Sequence, residues 1–150
     1  MSNFKSSIFY LFFPIVVGSI VGFLISGSID YNSLNKPPLS PPSIIFPIAW
    51  SIIYLLMGIS FYLYKKTDDS LLIDIVYYLQ LFVNLLWSFI FFVWKLRLFA
   101  VIWIILLDIL VIYLIYLFLK TSKISAYLNI PYLLWILFAT YLTIGIYVLN

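Results

Sequence analysis

Apolar positions along this chain fall into five long runs, and the polar positions gather between them. The runs cover residues 8–25, 43–64, 71–94, 98–119 and 124–149. A helix needs about 20 apolar residues, with some latitude, to cross the hydrocarbon core of a bilayer, and each run meets that length. Lys65 and Lys66 close the second run, and Thr67, Asp68, Asp69 and Ser70 make a short polar turn after it. Lys95 and Arg97 close the third run, and Lys120 and Lys123 bracket the end of the fourth. No window alternates strictly, as a barrel strand does. The pattern predicts an all-α protein of one domain, residues 1–150, built as an integral membrane bundle of five transmembrane helices.

The first run has Lys5 before it and the small residues Ser26, Gly27 and Ser28 after it, as a secretory signal does. A signal core is roughly 7–15 residues, and this run is longer, so it is read as a retained span. Pro14 is placed to kink it. Gly18 and Gly22 form a G-x-x-x-G face suited to close helix approach, either within the bundle or to a second chain.

Between the first and second runs lies KPPLSPPSIIFPIAWSIIY, residues 36–54. Pro37, Pro38, Pro41 and Pro42 cannot sit inside a continuous helix, because each lacks an N–H and fixes φ. They predict a stiff extended loop. Ser43 is placed to cap the next helix, with Pro47 in its first turn, where the missing N–H costs little. Trp50 and Tyr54 follow at i, i+4 and share a face. Two readings are open from spacing: a polar hairpin between spans, or a roof over a ligand pocket.

Composition sharpens the class. Hydrophobic residues make up 66% of the chain and charged ones 9%, against roughly 25% charged in a soluble domain. There is no cysteine, histidine or glutamate. That excludes thiolate and imidazole metal ligands and any Ser-His-Asp arrangement. No catalytic or metal-binding residues are expected, and the small net charge of +3 does not point to nucleic acid. Lys5, Lys65, Lys66, Lys120 and Lys123 fall on the N-terminal side of the five spans, and Lys36, Lys95 and Arg97 on the other. The positive-inside rule then predicts a cytoplasmic N-terminus and an outward proline loop.

Polar side chains inside spans each need a reason. Gln80, Asn84, Trp87 and Phe91 recur at i, i+4, i+7 and i+11, one stripe of the third helix. Asn84 can hold a ligand carbonyl or carboxylate, or make a helix–helix hydrogen bond worth about 0.6 kcal/mol. Asp108 lies mid-span in the fourth helix, where functional and structural roles are both open. Asp74 sits near a helix start and suits the dipole. Trp135, Phe138, Ala139 and Leu142 form a stripe on the fifth helix. It serves packing, or, with Ala139 leaving room beside Trp135, stacking on a planar ligand.

The stretch KPP-x-SPP-x-x-x-FP-x-x-W-x-x-x-Y-x-x-MG, from Lys36 to Gly58, resembles the TspO/MBR family. That family comprises the tryptophan-rich sensory proteins of bacteria and the mitochondrial translocator protein, or peripheral-type benzodiazepine receptor. Tyr31 and Leu34 fit its lead-in to the proline loop. Asn84, Trp87, Phe91 and Phe92 fit its N-x-x-W-x-x-x-FF run, and Pro131, Tyr132, Trp135, Phe138, Ala139 and Leu142 its PYL-x-W-x-x-FA-x-x-L run. The resemblance implies a membrane receptor or sensor for hydrophobic planar ligands such as porphyrin, haem or isoquinoline-type compounds, with no obligatory cofactor. It implies ligand contacts at Tyr31, Pro47, Trp50, Tyr54, Asn84, Trp87, Trp135, Phe138 and Ala139, residence in the cell membrane, and a homodimer. Transport or light-dependent breakdown of a tetrapyrrole is the downstream role it implies. A small proton-coupled multidrug-type transporter is the alternative, with Asp108 the one membrane carboxylate available for coupling. The chain departs from the family pattern at Asp30, Leu39 and Ile44, where aromatic residues are usual. The family's usual acidic position in the fourth helix falls on Trp103, five residues before Asp108.

Overall fold

The computed structural model describes residues 4–150, with side chains from residue 6. Lys5, one of the cations in the orientation count, therefore lies outside the described side chains. Helix α1 spans Phe4–Ile25, α2 Ile45–Thr67, α3 Leu71–Ser88, α4 Arg97–Leu119, α5 Lys123–Leu128 and α6 Ile130–Leu149. No strand occurs among the described residues. Five stretches are long and apolar enough to cross a membrane, the fifth combining α5 and α6. The architecture is the all-α five-span bundle that the apolar runs predict.

Three local features differ from the sequence reading. Ser43 does not cap α2. The Ile45 N–H bonds the Pro42 carbonyl (3.1 Å) and the Phe46 N–H bonds the Ser43 carbonyl (3.2 Å), so backbone turns start the helix. Pro47 still falls in the first turn, where it displaces no intrahelical bond.

The third span does not run as α-helix to its end. It widens into a π turn over Phe89–Val93, with Trp94 N–H bonding the Phe89 carbonyl at 2.8 Å. The Arg97 Nε–H donates to the Phe91 carbonyl (3.0 Å), taking up an acceptor that the widened turn leaves over. Lys95, at φ 56°, reverses the chain into α4.

The fifth span breaks at Asn129 instead of running through. Pro131 enters α6 in its first turn, where its missing N–H displaces no intrahelical bond. The Asn129 amide donates to the Ser125 carbonyl (2.8 Å) and to Ser60 Oγ (3.0 Å), and Ser125 Oγ donates to the Ser60 carbonyl (2.6 Å). These bonds fasten the break to α2.

The core lies among α2, α3, α4 and α6. Phe61 stacks on Tyr77 with centroids 4.0 Å apart, and Met57, Tyr64, Leu114, Phe118 and Ile136 are buried around them. Helix α1 leans on α2 through Gly58, where any Cβ would overlap the Leu11 carbonyl. Close backbone approach of this kind is how membrane helices associate without a hydrophobic driving force.

The proline segment folds as a pinned roof. Tyr31 donates to the Pro41 carbonyl (2.7 Å) and Tyr141 to the Pro38 carbonyl (2.6 Å). The Lys36 ammonium donates to the Tyr31 and Leu34 carbonyls, both at 3.1 Å. The Asn150 amide donates to the Asn35 carbonyl (2.8 Å), and Pro37 packs on Gly145. Arg97 holds Asp30 through both carboxylate oxygens, at 2.9 and 3.2 Å. Asp30 thus takes an electrostatic role at a position where the resemblance leads one to expect an aromatic ring.

Candidate functional site

Under the roof lies a partly open cavity of about 490 Å³, bounded by α1, α2, α3, α6 and the segment before α2. Tyr31, Pro47, Trp50 and Tyr54 line it from the roof and α2, Trp87 from α3, and Trp135 and Ala139 from α6. The i, i+4 pair on α2 stacks, with Trp50 and Tyr54 centroids 5.5 Å apart at 26°. Trp50 meets Trp135 edge to face at 6.2 Å, so α2 and α6 share one aromatic corner. On α3, Trp87 stacks on Phe91 at 4.9 Å. Phe91 and Phe92, both in the π turn, line the cavity beside Trp87. No Asp, Glu, Lys or Arg lines the space.

Asn84 and Phe138 stand apart from this lining. Asn84 is 3% exposed and lies behind Tyr54. Its Oδ1 accepts from the Tyr54 hydroxyl (2.6 Å), and its Nδ2 donates to the Tyr132 hydroxyl (2.8 Å). Tyr132 donates onward to Gln80 Oε1 at 2.7 Å. The stripe Gln80–Asn84–Trp87–Phe91 is real, but it divides: its first half is a buried hydrogen-bond network and its second half is cavity wall. Phe138 sits beyond Trp135, with which it makes a tilted contact at 5.8 Å, and stacks on Tyr141.

Four of the polar side chains that line the cavity are committed to protein oxygens. Tyr31 and Tyr54 donate as above, the Ser51 hydroxyl donates to the Pro47 carbonyl (2.7 Å), and Thr143 donates to the Ala139 carbonyl (2.7 Å). Burial pushes the Tyr31 hydroxyl above its ordinary pKa, against an opposing hydrogen bond with Ser40, so it remains a neutral donor. The indole nitrogens of Trp87 and Trp135 are buried without a hydrogen-bond partner.

Sequence reasoning placed no residue of α1 at the site, yet Ile15, Gly18 and Gly22 line it. The G-x-x-x-G pattern was the available signal. Its two glycines do different things. A Cβ at Gly18 would lie 2.5 Å from the Tyr54 ring, whereas one at Gly22 would meet nothing within 4 Å. Gly18 seats Tyr54, and Gly22 leaves cavity space.

Asp108 and Trp103 are both off the cavity. Asp108 Oδ2 lies 2.7 Å from Thr140 Oγ1, joining α4 to α6, while its Oδ1 is buried without a partner. The Trp103 indole donates to the Val83 carbonyl (2.8 Å) and ties α4 to α3. Asp74 forms an ion pair with Lys65 (2.7 Å) near the start of α3.

The family model of the TspO/MBR family matches residues 10–149. The tryptophan-rich protein TspO of Archaeoglobus fulgidus is 37% identical over 141 residues, covering 91% of each chain. The tryptophan-rich sensory protein of Cereibacter sphaeroides is 31% identical, covering 73% of this chain and 70% of its own. The translocator protein homolog of Schizosaccharomyces pombe is 29% identical, covering 91% of this chain and 87% of its own.

Proposed function

The chain belongs to the TspO/MBR family, and from that premise we propose that it is a sensor-type membrane receptor whose cavity binds a hydrophobic planar ligand. One observation carries this reading: aromatic faces from the roof, α2, α3 and α6 converge on a single uncharged space of about 490 Å³. Porphyrin, haem and isoquinoline-type compounds are the ligand class, taken up reversibly and not as a resident cofactor. Stacked and edge-to-face rings suit a flat apolar disc. The sensory and translocator names of relatives support a role in signalling or moving such a ligand.

A homodimer in the cell membrane, with a cytoplasmic N-terminus, completes the proposal. Lys65, Lys66, Lys120 and Lys123 support that orientation against Lys36, Lys95 and Arg97. The dimer contact would use a surface other than the Gly18/Gly22 face, since both glycines line the cavity.

The test is a titration of purified protein with protoporphyrin, followed by tryptophan quenching. Saturable quenching beyond that of a tryptophan standard in protein-free micelles is expected, and Trp135→Ala should weaken it. Quenching that never saturates would remove the reading. A proton-coupled transporter is the second reading, supported by the half-partnered Asp108 carboxyl within the bundle. Substrate-dependent proton flux in proteoliposomes, lost in Asp108→Asn, would establish it.

A further inference from the structure

The acidic side chains of this protein are all aspartates, and four of them stand between spans or in a first helical turn. Asp30 is held by Arg97 (2.9 Å), Asp69 and Asp74 are held by Lys65 (2.8 and 2.7 Å), and Asp68 lies exposed in the polar turn. Asp108 is the exception. It sits in the middle of α4, is 8% exposed, and makes no ion pair among the described residues. The other charged side chains of the helices packed around it stand at helix starts: Asp74 in α3, Arg97 in α4 and Lys123 in α5, while α6 has none. The titratable group that α6 brings within range of its charge is the Tyr132 hydroxyl, which donates to Gln80.

The contacts around Asp108 are one proton short. Thr140 Oγ1 lies 2.8 Å from the Ile136 carbonyl oxygen and 2.7 Å from Asp108 Oδ2. A threonine hydroxyl has a single proton to give. Ser51 and Thr143 each place theirs on the carbonyl four residues back, at 2.7 Å, and Thr140 has the same geometry toward Ile136. With that proton on Ile136, the short contact to Oδ2 sets two oxygen lone pairs against each other unless the carboxyl supplies a proton of its own. The second carboxyl oxygen points the same way. Oδ1 is buried without a partner. An ionised carboxylate would leave half its charge stranded there, with no cation in reach, which is the costliest kind of burial. A neutral acid leaves only a carbonyl oxygen unpaired, a far smaller penalty.

We infer that Asp108 is a proton-binding site within the membrane, occupied at neutral pH, whose acid O–H donates to Thr140 while Thr140 donates to Ile136. The relay ties α4 to α6, and loss of the proton to water breaks it. The site lies off the cavity under the roof and stands whatever that cavity binds. It also stands whether or not the protein moves protons, so an absence of proton flux counts against the transporter reading alone.

Infrared spectroscopy reads the proton directly, on the full chain carrying carbon-13 at its aspartate side-chain carboxyls, in a maltoside detergent free of ester groups. One protonated-carboxyl stretch is expected at neutral pH. It should be lost in Asp108→Asn and should move to higher frequency in Thr140→Val, which keeps the side chain's shape and removes the acceptor. Carboxylate bands alone overturn the inference, as does a protonated band that survives Asp108→Asn or that Thr140→Val leaves in place. Thermal unfolding gives a second measurement. The folded chain holds a proton that Asp108 releases once unfolding exposes it to water. Stability relative to Asp108→Asn should therefore fall as pH rises from about 5 to 8, by up to about tenfold in the unfolding equilibrium per pH unit. The comparison cancels the other titrating groups, which both proteins share. A difference between the two proteins that stays constant with pH overturns the inference, and so does one that grows in favour of the parent as pH rises.

Discussion

The Tyr54 hydroxyl donates to Asn84 Oδ1 at 2.6 Å, and through this bond the aromatic floor of the cavity is set by an amide that never reaches it. Asn84 is therefore a support for Tyr54. Asn84→Ala should destabilise the protein by roughly 1–3 kcal/mol, because it strands the Tyr54 hydroxyl and removes a donor to Tyr132. Its effect on ligand affinity should largely vanish when Tyr54 is already phenylalanine. A double-mutant cycle of Tyr54→Phe and Asn84→Ala, read by ligand titration, measures this coupling. Strict additivity in binding would mean that Asn84 contacts ligand on its own account.

Asp108→Asn should leave ligand affinity within about twofold, since the side chain lies between α4 and α6, off the cavity, and asparagine retains a polar partner for Thr140. Protoporphyrin titration of the variant, after a check of helicity and monodispersity, gives the answer. Abolished binding would move the site.

Gly58→Ala should lower thermal stability markedly, because the added methyl overlaps backbone and not a movable side chain. A cost of about 1–3 kcal/mol is the usual scale of such overpacking. Gly22→Ala, which meets open space, is the control that should keep the melting temperature in detergent near that of the parent. Equal melting temperatures for all three proteins would show that α1 does not approach α2 this closely.

Asp30→Asn should loosen the roof. It removes the charge that holds the Arg97 guanidinium, whose side chain is 13% exposed. Ligand dissociation should speed up several-fold, and amide hydrogen exchange over residues 31–41 should rise, while exchange in α4 beyond its first turns stays unchanged. The remaining ties from Tyr141, Lys36 and Asn150 keep the loop folded. Unaltered dissociation and exchange would assign the ion pair to holding the α3–α4 turn alone.

Much of this architecture was legible in the chain because it rests on short-range rules. Span number follows from run length, Pro47 in the first turn follows from its missing N–H, and the shared face of Trp50 and Tyr54 follows from helical spacing. What was not legible depends on partners distant in sequence. Asn84 reads identically whether it faces ligand or Tyr54, since only the packing of α2 and α6 against α3 settles which. The break at Asn129 needed Ser60, 69 residues away, as an acceptor. The α1 wall was hidden because Gly18 and Gly22 advertise absence of side chain, which serves close packing and open space alike. The π turn has no compositional signature at all: FIFFV is as apolar as any helical turn around it.

That turn also says where the molecule can vary at least cost. A π turn holds one residue more than an α turn, so removing a single residue from Phe89–Val93 restores regular winding without disturbing the five spans. The loss would change which of residues 89–93 face the cavity, while the chain beyond the turn keeps its register. A single residue thus sets the shape of this cavity wall, and insertions or deletions among homologues should gather there more than anywhere else in the third span.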